Sequence, residues 1–208
     1  VIPPKAAARR PDPSGRHEFS GIDKQPQSFI DVAAPGPHYG DGSGVRGDII
    51  GDTQHHGGND KAIYAYAREE LDYWQSELSR PLASGCFGEN LTTQGVDLSA
   101  LLINQRLRIG TAVLEVSVPR QPCSTFAGWL GERGWLKRWT ARGDCGTYLR
   151  IISPGRIQPG DCITMDAPPN HDITMRIAFA AKMGNRTLAQ RVIEAGCLPP
   201  HQNNSLRA

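Results

Sequence analysis

Between Arg106 and Pro119 the chain reads RLRIGTAVLEVSVP, and that stretch limits the folds open to it more than any other. Leu107 and Ile109 alternate with Arg106 and Arg108. After Gly110-Thr111, Leu114, Val116 and Val118 alternate with Glu115 and Ser117. A two-residue side-chain period with a glycine turn between the runs is the pattern of a β-hairpin with one buried face. Pro119 has no amide hydrogen for a ladder, so the second strand is expected to stop before it. Similar short runs at 29–32, 48–50, 148–152 and 162–165 are bounded by Gly and Pro. The chain carries 23 Gly and 16 Pro, spread between these runs without a repeat. A chain so rich in turns is expected to be mainly β with peripheral helices.

Helical spacing interrupts this pattern. Ile63, Ala67, Leu71, Trp74 and Leu78 recur every three or four residues, which predicts one helix from Asp60 to Leu78 with Asp60 as its cap. Residues 125–140 predict an aromatic helix broken near Gly134, and 173–183 and 187–196 predict two more. The expected organisation is an extended arm (1–20), a β-barrel domain (21–168), a helical extension (169–200) and a disordered tail (201–208). The indoles of Trp129, Trp135 and Trp139 are expected to form an exposed patch able to serve a homodimer.

The net charge of +2 gives no electrostatic footprint for duplex nucleic acid. No apolar run approaches the ~18 residues of a membrane span, and no leader is visible. The five cysteines are odd in number, widely spaced and free of CxxC pairs, so a reducing, cytoplasmic setting is expected. Of these, Cys145, in a glycine turn, is expected to be exposed.

Several motifs carry chemistry. Gly42–Gly47 matches GxGxxG, but no strand precedes it and no helix follows, which argues against a dinucleotide site. His55-His56-Gly57-Gly58 is either an oxyanion pocket or a solvated loop, with Lys61 at the expected helix start, where free amides favour an anion. Glu89 in GEN is either an acid/base group or an anchor for loop amides, and the anchor is the better reading. Cys123, in PRQPC, is either a small apolar residue or a reactive, metal-ligating thiol beside Arg120. A zinc site from His55, His56, Cys123 and Cys145 matches no common ligand spacing.

Four segments in one order, HHGGNDKAIYAYAREELDYW, FGENLTT, INQRLRIGTAVLEVSVPRQPC and YLRIISPGRIQPGDCI, resemble the MOSC domain. The resemblance is to stand-alone bacterial members that reduce N-hydroxylated purine analogues, and it covers residues 22–166. It implies a β-barrel that binds the molybdenum cofactor (molybdopterin with Mo), with Cys123 as metal ligand. It also implies a pocket built by His55, His56, Gly57, Gly58, Lys61, Glu89, Asn90, Arg120 and Arg150. The implied reaction takes small N-hydroxylated substrates to amines, and pyridoxal phosphate is not expected. No flavin or iron–sulfur motif is present, so electrons are expected from an external reductase. Two alternatives stand beside this: a non-catalytic carrier of the cofactor or of persulfide sulfur, and a barrel that has lost cofactor binding. Members usually begin with a short N-terminal strand, and none is evident here.

Overall fold

The computed structural model describes residues 3–6, 12 and 15–207. Its centre is a mixed six-stranded sheet curved into a half-barrel. Chain order runs β1 (Lys5–Ala6), β2 (Gln25–Pro26), β3 (Ile30–Val32), β4 (Ile63–Ala67), α1 (Arg68–Leu78), β5 (Leu91–Thr93), β6 (Arg106–Ile109), β7 (Ala112–Val116), α2 (Ser124–Leu130), α3 (Trp135–Arg142), β8 (Thr147–Ser153), β9 (Gly155–Ile157), β10 (Ile163–Met165), α4 (Met175–Lys182), α5 (Arg186–Ala195) and α6 (Pro200–Asn204). The sheet order is β10-β6-β7-β8-β4-β5, with β4 and β5 parallel and every other neighbouring pair antiparallel. Two small ribbons, β1-β2 and β3-β9, complete the strand pairing.

The hairpin forms as its alternation predicts: Leu107 faces Leu114, Ile109 faces Ala112, and all four are buried. The predicted helix from Asp60 does not. Asn59–Lys61 make a single 3₁₀ turn, Ile63–Ala67 are the strand β4, and α1 starts at Arg68. All five β4 residues are buried, because the strand lies between β5 and β8 with both faces covered. A strand buried on both faces reads as a continuous apolar run, and here that run happened to match helical spacing as well. Asp48–Ile50 is not a strand; its neighbour Val45 makes a single bridge to Val32.

An N-terminal strand is present after all. Lys5–Ala6 pairs with Gln25–Pro26, and the Lys5 amide bonds to the Asn90 carbonyl at 2.8 Å. Residues 1–2, 7–11, 13–14 and 208 lie outside the described residues, so the expected mobile arm is described only in part. From His17 to Lys24 it lines the cleft described below. The tail is not featureless either: α6 docks through His201, whose Nε2 lies 3.0 Å from the Tyr39 hydroxyl, and Lys182 Nζ donates to the Gln202 carbonyl at 2.6 Å.

The aromatic patch is internal. Trp135 and Trp139 are almost fully buried and Trp129 is half-buried. Trp135 packs edge-on against Trp74 (4.6 Å between ring centres) and Phe126 (5.5 Å), and Phe126 against Phe87 (4.9 Å). This edge-to-face stack joins α1, α2 and α3, so it offers no dimer interface. Cys145 is also buried, with burial raising its thiol pKa, and its Sγ faces the Gly146 carbonyl. Cys162 is exposed and precedes β10 rather than alternating within it.

Candidate functional site

A cleft opens against the half-barrel, reaching Tyr64 of β4 and Tyr148 of β8. Its walls include Asp12 and the arm from His17 to Lys24, the glycine-rich loop from Ser43 to Lys61, the turn at Phe87, Gly88 and Asn90, and the turn that leads from β7 into α2. Cys123 sits where that turn meets α2. Val116 ends β7, prolines 119 and 122 stiffen the approach, and the Cys123 sulfur caps α2 by accepting from the Phe126 amide at 3.4 Å.

Arg120 lies beneath it, fully enclosed. Its guanidinium stacks on Phe126 (4.2 Å) and Tyr64 (4.7 Å), and Nη1 donates to the Phe87 carbonyl. Nε has no partner, and among the described residues no carboxylate pairs with this cation. Lys61 is the second cation. Its Nζ donates to the His55 carbonyl at 2.6 Å and sits over the Tyr39 ring at 4.5 Å. Burial lowers its pKa to about 8 against the pull of Asp52. His56 shares a 3.0 Å hydrogen bond between Nδ1 and the Tyr148 hydroxyl. Burial, helped by Lys61 and Arg120, drives its pKa down to about 3, so its ring is neutral at neutral pH.

The loop that carries these groups needs its glycines. Gly57 and Gly58 both have positive φ (82° and 72°), and a Cβ on Gly58 would run into the His38 carbonyl. Asp52 braces the same loop by accepting from the Gln54 and His55 amides at 3.1 and 3.2 Å. Burial pushes its carboxyl up, but the hydrogen bonds from His55 outweigh this and hold it below its ordinary value.

Of the ten residues singled out in the sequence, His56, Gly57, Lys61, Asn90, Arg120 and Cys123 line the cleft. Four do not. His55 points to solvent and pairs with Asp52 at 3.0 Å. Gly58 shapes the loop from behind. Glu89 is fully buried and accepts from the Gly85 and Phe87 amides and from Thr92, which makes it the loop anchor. Arg150 is held through Nε by Asp60 (2.6 Å) and through Nη1 by Glu115 (2.9 Å) and Asn104 (3.2 Å). Asp60, expected as a helix cap, is one of these partners. Asn90 borders the cleft but is fully committed: Oδ1 accepts from Tyr64, and Nδ2 donates to Asp48 and to the Lys5 carbonyl.

No pattern in the sequence marked Lys24 and Asp48, which form a buried pair on the cleft wall at 2.6 Å, or His17. Tyr64 was expected inside a helix, and Tyr148 only as a strand residue. Their pairing across β4 and β8, with rings 5.1 Å apart, puts both at the cleft.

A family model, MOSC domain, matches residues 52–164. The chain belongs to the MOSC domain family. The match takes in the glycine loop from Asp52 onward, β4 to β8 and PRQPC, and the arm lies outside it. YflK of Bacillus subtilis, described as uncharacterized, is 40% identical over 155 residues, 73% of this chain and 70% of YflK. A protein from Gibberella moniliformis named "Reductase" is 31% identical over 135 residues, 62% of this chain but only 24% of that protein. The crystal structure of YiiM from Geobacillus stearothermophilus superposes with a TM-score of 0.76 over 100% of this chain and 96% of its own, at 24% identity, which establishes the shared MOSC fold. No helix among the described residues is long and apolar enough to cross a membrane.

Proposed function

We propose that this MOSC protein binds the molybdenum cofactor in the cleft, with Cys123 as metal ligand, and reduces small N-hydroxylated compounds to amines. The observation that carries the proposal is the pairing of one accessible thiol with two enclosed cations, Arg120 and Lys61, neither in a carboxylate ion pair among the described residues. A buried cation with an unpartnered N–H is costly unless an anion completes it. The donor set fits the cofactor: a soft thiolate suits a soft, redox-active metal, and a guanidinium with an ammonium suits a phosphate.

The bound cofactor supplies the two-electron chemistry, as cofactors generally do. The protein supplies position. Stiff prolines fix where the sulfur points. Arg120, clamped between aromatic rings, cannot swing away from an anion held above it. Lys61 adds a second charge from the glycine loop, its ammonium over the Tyr39 ring. His56 and Tyr148 close the wall as a neutral hydrogen-bonded pair, so they shape the cleft without competing for the anion. These 208 residues hold neither a flavin nor an iron–sulfur motif, and a reductase is the electron donor in this proposal.

The test is protein purified from a cofactor-producing host and assayed with reduced methyl viologen and an aryl hydroxylamine. Amine formation by the wild type, lost in Cys123→Ser, is the expected result. Cofactor-loaded wild type that forms no amine would overturn the enzyme reading and favour a carrier of the cofactor.

A further inference from the structure

His17 belongs to the arm, outside the matched family segment, yet it lines the same cleft as Cys123. Its backbone amide donates to Asp12 at 3.1 Å, which turns the arm inward. The arm is seated on the glycine loop: a Cβ on Gly51 would overlap the Phe19 carbonyl oxygen. The His17 ring thus bridges two walls. Nε2 is 3.5 Å from Thr125 Oγ1, two residues past Cys123, and 4.0 Å from Asp52 Oδ2. Both contacts are long, so this nitrogen is held in place without being used up.

Breaking an N–O bond needs protons as well as electrons. A hydroxylamine takes up two electrons and two protons and gives an amine and water. The other titratable groups of the cleft are poorly suited to deliver the proton. His56 is neutral, with its pKa near 3, and has none to give. Lys24 is locked against Asp48. Lys61 donates to the His55 carbonyl and, in the function proposed above, holds the anion. The Tyr148 hydroxyl is engaged by His56, and burial raises its pKa.

We propose that His17 is the proton donor for N–O cleavage. This rests on the reductive function proposed above. The imidazolium Nε2–H goes to the hydroxyl oxygen as the N–O bond breaks, and the oxygen leaves as water. Two electrons from the reductase, or from reduced viologen in the assay, stay with the nitrogen, which takes its second proton from solvent. The His17 side chain is 25% exposed, so it regains its proton from water. The groups facing it are Asp12 on its own segment, Asp52 with His55 on the glycine loop, and Thr125 on α2, with Lys61 charged in the same cleft.

The experiment compares cofactor-loaded wild type with His17→Gln and His17→Ala in the viologen assay, beside molybdenum and pterin content. Proton-donor loss typically costs about 100-fold or more. The expected result is kcat lowered about 100-fold with KM and cofactor content unchanged, and partial rescue of His17→Ala by added imidazole. Wild-type kcat falls with rising pH along a limb that the variants lack. Full activity in His17→Gln overturns the role of His17 and leaves the reductive function standing. Loss of cofactor in both variants overturns it too, and makes His17 a wall residue. An inactive, fully loaded wild type overturns both proposals.

Discussion

Asp48→Asn tests how the cleft wall is held. Lys24 Nζ lies 2.6 and 2.8 Å from the two Asp48 oxygens, and the side chains are 5% and 2% exposed. Asp48 also accepts from Ser43 Oγ at 2.8 Å and Asn90 Nδ2 at 2.9 Å. The substitution keeps the shape and removes the charge, so Lys24 becomes a buried cation beside an amide. Breaking a buried pair in this way costs about 3–5 kcal/mol. For a chain of this size each kcal/mol moves Tm by about 2–4 °C, so the expected loss is about 6–20 °C. Urea unfolding of the apoprotein gives the free energy directly. Adding Lys24→Met removes the orphaned cation, and the double variant should recover part of the loss, with a coupling of at least about 1.5 kcal/mol. A cost below about 1 kcal/mol, or strict additivity, would refute the view that this pair braces the wall.

Three other outcomes follow from the same geometry. His56 is neutral in the fold and titrates at about 3, against 6.5 when unfolded. Its contribution is therefore complete above pH 6.5 and is lost on acidification toward 3, at about 1.4 kcal/mol per pH unit; His56→Gln should flatten that part of the stability–pH curve, and an unchanged slope would contradict the assignment. Gly58→Ala forces a methyl group toward the His38 carbonyl at a φ of 72°, so unfolding should show a loss of about 1 kcal/mol or more, with less cofactor retained. Arg120→Met swaps an uncompensated cation for an apolar chain of similar length; the apoprotein should stay within about 1 kcal/mol of wild type, or gain, while cofactor retention collapses. Retention equal to wild type would remove Arg120 from the anion site.

Local pattern carried the hairpin, the broken aromatic helix and α4 and α5, because each is set by periodicity and turn residues close in sequence. It failed at Ile63–Ala67, where an apolar run satisfied two periods and only burial on both faces of the sheet decided between them. The resemblance brought His56, Lys61, Arg120 and Cys123 together; no spacing rule does so. Arg150 was misplaced because its partners, Asp60 and Glu115, lie far away in the chain and reach it only across β4, β7 and β8. Trp135 and Trp139 looked like a surface patch because a short amphipathic helix does not say which face the rest of the molecule covers. The roles of Lys24, Asp48 and His17 depend on the arm folding back over the glycine loop, a long-range event with no local mark.

The most direct test of the central claim is molybdenum and pterin content of protein from a molybdate-fed, cofactor-producing host, for wild type, Cys123→Ser and Arg120→Met. The account predicts near-stoichiometric molybdenum and pterin in wild type, with molybdenum lost in Cys123→Ser and both lost in Arg120→Met. Wild-type protein that retains neither molybdenum nor pterin, or a Cys123→Ser variant that keeps its molybdenum, would contradict it.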